Sequence, residues 1–191
     1  MALSYQNEID KAIEVLNNGG TIIYPTDTIW GIGCDATNPK AVEKIYNIKQ
    51  RTDSKSLIIL IDEEKKLHDY VNTIPEMAWE LIDISTSPLT IIYEKAMKLA
   101  PNLIPADGSI AIRITKDPFC RELIKKFKKP ITSTSANISG EKSPSNYSEI
   151  DESFLKQADY VVNLRRNEKG NAKASSIIKI FENGQFELIR K

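Results

Sequence analysis

Three short segments of this chain carry side chains that can do chemistry. The first is Tyr24-Pro25-Thr26-Asp27-Thr28, running on into Ile29-Trp30-Gly31-Ile32-Gly33. β-rich residues lead into it, and ligands of α/β proteins tend to bind at the carboxyl ends of strands. Thr26, Asp27 and Thr28 could hydrogen-bond a small polar substrate there, or they could form a turn that only caps the strand. The glycines make neither a GxGxxG nor a Walker loop. The second segment is Lys49-Gln50-Arg51-Thr52-Asp53-Ser54-Lys55. Thr52-Asp53-Ser54 is turn-like, so a helix should end near Lys49, and Lys49, Arg51 and Lys55 can then converge on one anion. A solvated basic helix end is the other reading. The third segment, Thr132 to Ser135 followed by Ala136-Asn137-Ile138-Ser139-Gly140, presents four successive hydroxyls just after a strand. It suits an anion or a hydroxyl-rich turn, and so polar a run is expensive to bury without a ligand or an internal network.

Other chemistries lack their residues. Cys34 and Cys120 are the only cysteines and do not make a disulfide framework. His68 is the only histidine, and it follows Glu63-Glu64-Lys65-Lys66, a solvated stretch. It reads as a surface residue, so neither a protein-built zinc site nor Ser-His-Asp catalysis is expected. The 26 Lys and Arg balance the 26 Asp and Glu, so contact with RNA would need a local basic patch. No stretch approaches the roughly 20 apolar residues of a membrane span. The N-terminus lacks the basic and apolar regions of a secretory signal, so a cytoplasmic protein is expected.

The elements that must position these segments are legible from periodicity. Ile9, Ala12, Ile13 and Leu16 recur at helical spacing before Gly19-Gly20. Thr21–Tyr24 reads as a strand, and Asn38-Pro39 as the cap and first residue of a helix carrying Val42, Ile45 and Tyr46. Leu57–Ile61, Leu89–Tyr93 and Ser109–Ile114 read as strands, with a helix from Pro75 through Ile82 and another over Pro118–Phe127. A short strand enters Thr132, and late strands follow at Tyr160–Val162, Ser176–Phe181 and Phe186–Ile189. Alternation early and clustered strands late predict an α/β fold with a mixed sheet. The 191 residues suit one domain, with Glu141–Ser148 as a loop rich in Ser, Pro and Asn.

Taken together and in this order, the segments resemble the hallmark motifs of the YrdC/TsaC family: the strand with PTDT and its following glycine, KxRxxxK at 49–55, and S-A-N-x-S-G at 135–140. Ser109-Ile110-Ala111-Ile112-Arg113, Ala174-Ser175-Ser176-Ile177-Ile178 and Leu188-Ile189-Arg190 resemble further strands of that family. The resemblance covers about residues 8 to 190 and implies a single YrdC-like domain over 1–191, a twisted mixed sheet flanked by helices in the short family form. It implies a threonylcarbamoyl-AMP synthase acting on L-threonine, bicarbonate or CO2, and ATP, for tRNA threonylcarbamoyladenosine modification. Magnesium would arrive with the ATP, and the product would pass to a transferase complex.

By the same resemblance Thr28, Arg113, Thr134 and Ser175 hold threonine. Lys49, Arg51, Lys55, Ser109, Ala136, Asn137, Ser143 and Arg190 surround the nucleotide, and Lys49, Arg51, Ser135 and Asn137 form the catalytic centre. The chain departs from the family pattern at Ser56, Leu60, Ser176 and Lys179. The rival reading is a YrdC-like module that binds tRNA, rRNA or double-stranded RNA without synthase activity. Residues 40–55, with five Lys or Arg against two acids, and the cluster Lys125-Lys126-Phe127-Lys128-Lys129 supply its local charge.

Overall fold

The computed structural model of the chain describes residues 2–50, 57–169 and 173–191. Helix α1 (Ala2–Asn17) buries Ile9, Ala12 and Leu16 along one stripe. It stops where Gly19, at φ +69°, lets its N–H and that of Gly20 turn back onto the carbonyls of Leu16 and Val15. Strand β1 (Ile22–Tyr24) and strand β2 (Gly31–Gly33) follow. Helix α2 (Pro39–Ile48) starts as its sequence dictates, with the Asn38 side chain accepting from the N–H groups of Lys40 and Ala41. It ends at Lys49, and Gln50 takes φ 51°. The remaining elements are β3 (Ile58–Ile61), α3 (Leu67–Tyr70), α4 (Glu76–Ile84), β4 (Leu89–Tyr93), β5 (Ile110–Ile114), α5 (Pro118–Phe127), β6 (Ile131–Ser135), α6 (Glu152–Leu155), β7 (Tyr160–Val161), β8 (Ser176–Ile180) and β9 (Phe186–Arg190).

The strands form one mixed sheet in the order β7-β1-β2-β6-β3-β5-β4-β8-β9. The pairs β1–β7, β3–β5 and β4–β8 are parallel and the others antiparallel. Side chains alternate between the two faces of such a sheet. The register therefore puts Ile22, Tyr24, Leu60 and Ile131 on one face, where α1 and α5 cover them with Ile9, Leu16, Phe119, Leu123 and Ile124. Ile23, Ile32, Ile59, Ile61, Ile91 and Ile112 lie on the opposite face, packed with Val42 and Ile45 of α2, Ala78 of α4 and Phe154 of α6. Each fully buried side chain of this size contributes roughly 1.5–3 kcal/mol. The first face continues past the reach of α1 and α5, from Ser133 and Ser135 through Ile58, Ala111 and Arg113 to Ile177. A cavity opens over that uncovered stretch.

Strand β2 carries no strand signal in its sequence, Gly-Ile-Gly, because glycine is depleted in strands. Packing supplies the reason for it. A Cβ on Gly33 would stand 1.9 Å from the Thr132 carbonyl oxygen, and one on Gly31 would stand 3.1 Å from the Ser133 hydroxyl. The short helices α3 and α6 were also not evident in the sequence. His68 is exposed and packs its ring against Trp79, centroids 5.7 Å apart. Among the described residues no helix is long and apolar enough to cross a membrane.

Both thiols are buried, and burial pushes the Cys34 thiol up to about 12, from an ordinary value near 9. The folded thiol thus stays neutral while the unfolded one ionises, so this contribution to stability is present below pH 9 and is lost as pH rises toward 12. Urea midpoints measured across that window should fall, and thiol labelling at pH 8 should be slow until denaturant is added. The Gly33 contact sets a sharper test. Gly33→Ala should destabilise the protein by about 3 kcal/mol or more. Gly184→Ala, at φ +82° but facing open space, should cost only about 1 kcal/mol. Chemical denaturation of the two variants side by side measures the difference.

Candidate active site

The cavity holds about 320 Å³, within the range of small-molecule sites. Thr28, Arg113, Thr134, Ser135, Ser143, Ser175 and Arg190 all border it. These seven come from all along the chain, and the sheet order brings them together.

The turn after β1 positions Thr28. The Thr26 hydroxyl donates to the Ile29 carbonyl at 2.8 Å and accepts from the Thr28 N–H at 3.0 Å. Its one proton is thereby used, so in the 2.9 Å contact between the two hydroxyls Thr28 is the donor. The Thr28 oxygen is left with acceptor lone pairs, which suit an N–H or O–H of a ligand. Thr26 therefore closes the turn and Thr28 serves the cavity.

Lys49 stands behind the wall rather than in it. It is 2% exposed, and its Nζ donates to the carbonyls of Ser135 at 2.7 Å and Asn137 at 2.5 Å. The Ser139 N–H returns a bond to the Lys49 carbonyl at 3.2 Å, so the end of α2 and the segment after β6 are stitched in both directions. Asn137 donates through Nδ2 to the carbonyls of Ile138 and Glu141. Its buried Oδ1 has no hydrogen-bond partner among the described residues. Ala136 is fully buried, and its N–H donates to the Trp30 carbonyl at 3.0 Å, tying this segment to the one after Thr28. Thr134 is out of phase with Ser133 and Ser135 in the pleat and still borders the cavity.

The far wall is built by β8 and β9. The Ser175 hydroxyl lies 2.8 Å from that of Thr90, and Arg190 Nε donates to the Ser175 carbonyl at 2.9 Å. Regular alternation would send Arg190 to the same face as Leu188. A β-bulge intervenes: Leu188 pairs with Ile178 and Arg190 with the very next residue, Ile177, leaving Ile189 extra. Bulges re-aim side chains in this way, and here the bulge turns Arg190 onto the cavity. Burial and, second, the Arg113 charge hold the Arg190 guanidinium below its ordinary value. Two arginines at one wall make the cavity a place for anions.

Ser109 is not at the wall. Its hydroxyl and N–H donate to Asp107 Oδ1, at 2.7 and 3.0 Å, and they hold the Asp107 carboxyl below its usual range. Lys179, one of the departures from the family pattern, pairs with the same Asp107 at 3.3 Å. Leu60, another departure, is fully buried beneath α1 and α5. Arg51, Lys55 and Ser56 lie outside the described residues. Gly31 and Ser133, from the first and third candidate segments, also line the wall, whereas Ile58 and Ile177 were not singled out by the sequence; cross-strand register puts them there, Ile58 opposite Ser133 and Ala111, and Ile177 opposite Thr90 and Arg190. Among the described residues no group of three or more His, Cys, Asp or Glu could hold a metal ion.

A mixed sheet with a polar cavity on one face, walled by these motifs, defines the Sua5/YciO/YrdC class, and the chain belongs to that family: its pattern, described under telomere recombination, matches residues 14–191. A relative from Methanocaldococcus jannaschii is 39% identical over 180 residues, 92% of this chain and 83% of its own. The threonylcarbamoyl-AMP synthase of Pseudoalteromonas translucida is 34% identical over 92% of this chain and 94% of its own. P. abyssi Sua5 superimposes with a TM-score of 0.85 at 27% identity over 95% of this chain, which spans about half of that longer protein, 55%. The same P. abyssi protein has been solved complexed with L-threonine.

The bulge makes a prediction about Arg190. Deleting Ile189 restores a regular ladder in which the arginine follows Leu188 and still faces Ile177. Affinity for an anion in the cavity, probed with inorganic pyrophosphate, should then stay within about two-fold, whereas Arg190→Ala should weaken it roughly ten-fold, the worth of one charge-assisted contact. Titration of both variants with pyrophosphate distinguishes the two.

Proposed function

We propose that this chain is an L-threonylcarbamoyladenylate synthase, which makes threonylcarbamoyl-AMP and pyrophosphate from L-threonine, bicarbonate or CO2, and ATP. The observation that carries the reading is the cavity itself: two arginines and a row of hydroxyls on one wall, in a chain whose full-length relative from P. translucida bears that activity in its name. The threonine amine and CO2 combine to a carbamate, the amine losing a proton. A carbamate oxygen then attacks the α-phosphorus of ATP, and the bond to the β-phosphate oxygen breaks as pyrophosphate leaves. No enzyme nucleophile is required, so catalysis rests on positioning and on charge placed where it develops.

In this reading Arg113, Thr28, Thr134 and Ser175 hold threonine, with the Thr28 oxygen accepting from its hydroxyl or amine. Arg190 and Ser143 meet the nucleotide, joined by Arg51 and Lys55, while Lys49, Ser135, Ala136 and Asn137 shape the wall between the two substrates. Ser109, spent on Asp107, contributes indirectly by ordering the start of β5. Magnesium rides on the ATP phosphates as part of the substrate. One domain suffices, in the cytoplasm, and the product goes to a transferase complex acting on tRNA. The RNA-binding alternative draws less support, because Lys126 and Lys129 of the basic cluster are already paired with Asp10 and Asp35.

Pyrophosphate release should require both L-threonine and bicarbonate, and replacing threonine by serine or by no amino acid should abolish it. Equal release without threonine refutes the assignment. Arg51→Ala should lower turnover roughly 100-fold, the usual cost of a lost charge clamp, with the melting temperature unchanged.

A further inference from the structure

We propose that Asp27 is a positioning residue for Arg113: it fixes where that guanidinium meets the substrate and does not touch the substrate itself. The inference rests on the threonine side of the cavity proposed above. Arg113 is 3% exposed, and its Nη2 lies 3.2 Å from Asp27 Oδ1. No other carboxylate forms an ion pair with it among the described residues. The second oxygen of Asp27 is anchored, accepting from the Thr115 hydroxyl at 3.3 Å and from the Lys116 N–H at 3.2 Å. Thr115 is itself braced, since its oxygen accepts from the Asp117 N–H at 3.2 Å. Asp117 caps α5 through the Cys120 N–H and pairs with Arg165 at 2.6 Å. The carboxylate is therefore gripped from the segment between β5 and α5, and its remaining oxygen, which makes no hydrogen bond among the described residues, is left as the counter-charge to Arg113.

Asp27 lies off the substrate cavity. Its neighbour Thr28 borders the substrate cavity and Asp27 does not. Asp27 instead borders a separate, mostly apolar cavity of about 220 Å³ beneath α4, on the opposite face of the sheet. The guanidinium is left with capacity for a ligand, because Arg113 Nε is buried and has no hydrogen-bond partner among the described residues. Asp27 also offsets the repulsion between Arg113 and Arg190, two like charges on one wall. Without it the Arg113 guanidinium loses its counter-ion and its fixed direction, and the substrate's anionic end loses a preset partner.

The experiment is a double-mutant cycle on L-threonine binding, read by calorimetry and by the KM for threonine, with Asp27→Asn, Arg113→Lys and both together. Asp27→Asn preserves size and removes the charge. It should weaken threonine binding roughly ten-fold while the KM for ATP stays within about two-fold, and in the Arg113→Lys background it should add nothing further. Additive effects would mean that Asp27 acts on the substrate independently of Arg113, and would overturn the proposal, as would unchanged threonine binding in the single variant. Should Asp27→Asn fail to fold, Thr115→Val, which removes one anchor, is expected to weaken threonine binding about three-fold; unchanged binding there overturns it equally. A wild-type chain that binds no threonine refutes the proposed function instead, and this inference with it.

Discussion

On the side of Gly33 that faces β6 there is room for a hydrogen and nothing larger. The Thr132 carbonyl sits where any side chain would begin, and the Tyr24 hydroxyl donates to that same carbonyl at 3.0 Å. This contact lets three-residue β2 lie buried between β1 and β6. The turn leaving β1 and the segment leaving β6 then emerge side by side, joined by the bond from Ala136 to Trp30. Thr28 and Ser135 share a wall because of it. The rest of the cavity is laid out from there by register, strand by strand, to Ser175 and Arg190.

Charge at the site is managed locally, within a chain of zero net charge. A buried cation is costly unless it is paired or hydrogen-bonded. Buried Lys49 meets main-chain carbonyls and buried Arg113 has Asp27 as counter-ion, while Arg190, on the exposed strand β9, meets Ser175. Each partner belongs to a different element, so each cation also acts as a tie between elements. The arginines keep their positive charge toward the cavity, while the neutral carbonyls under Lys49 stabilise the loop that carries Asn137.

Much of this was legible in the sequence. Asn38-Pro39 announces the start of α2, because capping chemistry is local. Leu89–Tyr93 and Pro118–Phe127 were read at their observed bounds. The family motifs brought Thr28, Arg113, Thr134, Ser135, Ser143, Ser175 and Arg190 to notice, and all seven border one cavity. What escaped notice was set by distant partners. Gly31–Gly33 becomes a strand only because β1 and β6 flank it. Lys49 reads as an anion ligand or a solvated helix end, and only the fold puts the carbonyls of Ser135 and Asn137 around its ammonium. Asp27 reads as a substrate ligand or a turn residue, and only the fold brings Arg113, Thr115 and Lys116 to its carboxylate. The direction of Arg190 depends on one extra residue in β9, which no periodicity in Phe186–Arg190 discloses.

The strand order has a consequence for how the protein is made. Strand β1 pairs with β7, about 140 residues later, and the Arg190 that closes the wall pairs with β8. A ribosome releases the chain from its N-terminus, so Thr28 leaves the tunnel long before Arg113, Ser135, Ser175 and Arg190 exist. Strands β3, β5 and β4 can associate midway, but β1 must wait with one edge open until Tyr160 arrives. The site is thus complete only once β9 has emerged, and a nascent chain stalled earlier presents unpaired strand edges where the folded protein presents a pocket.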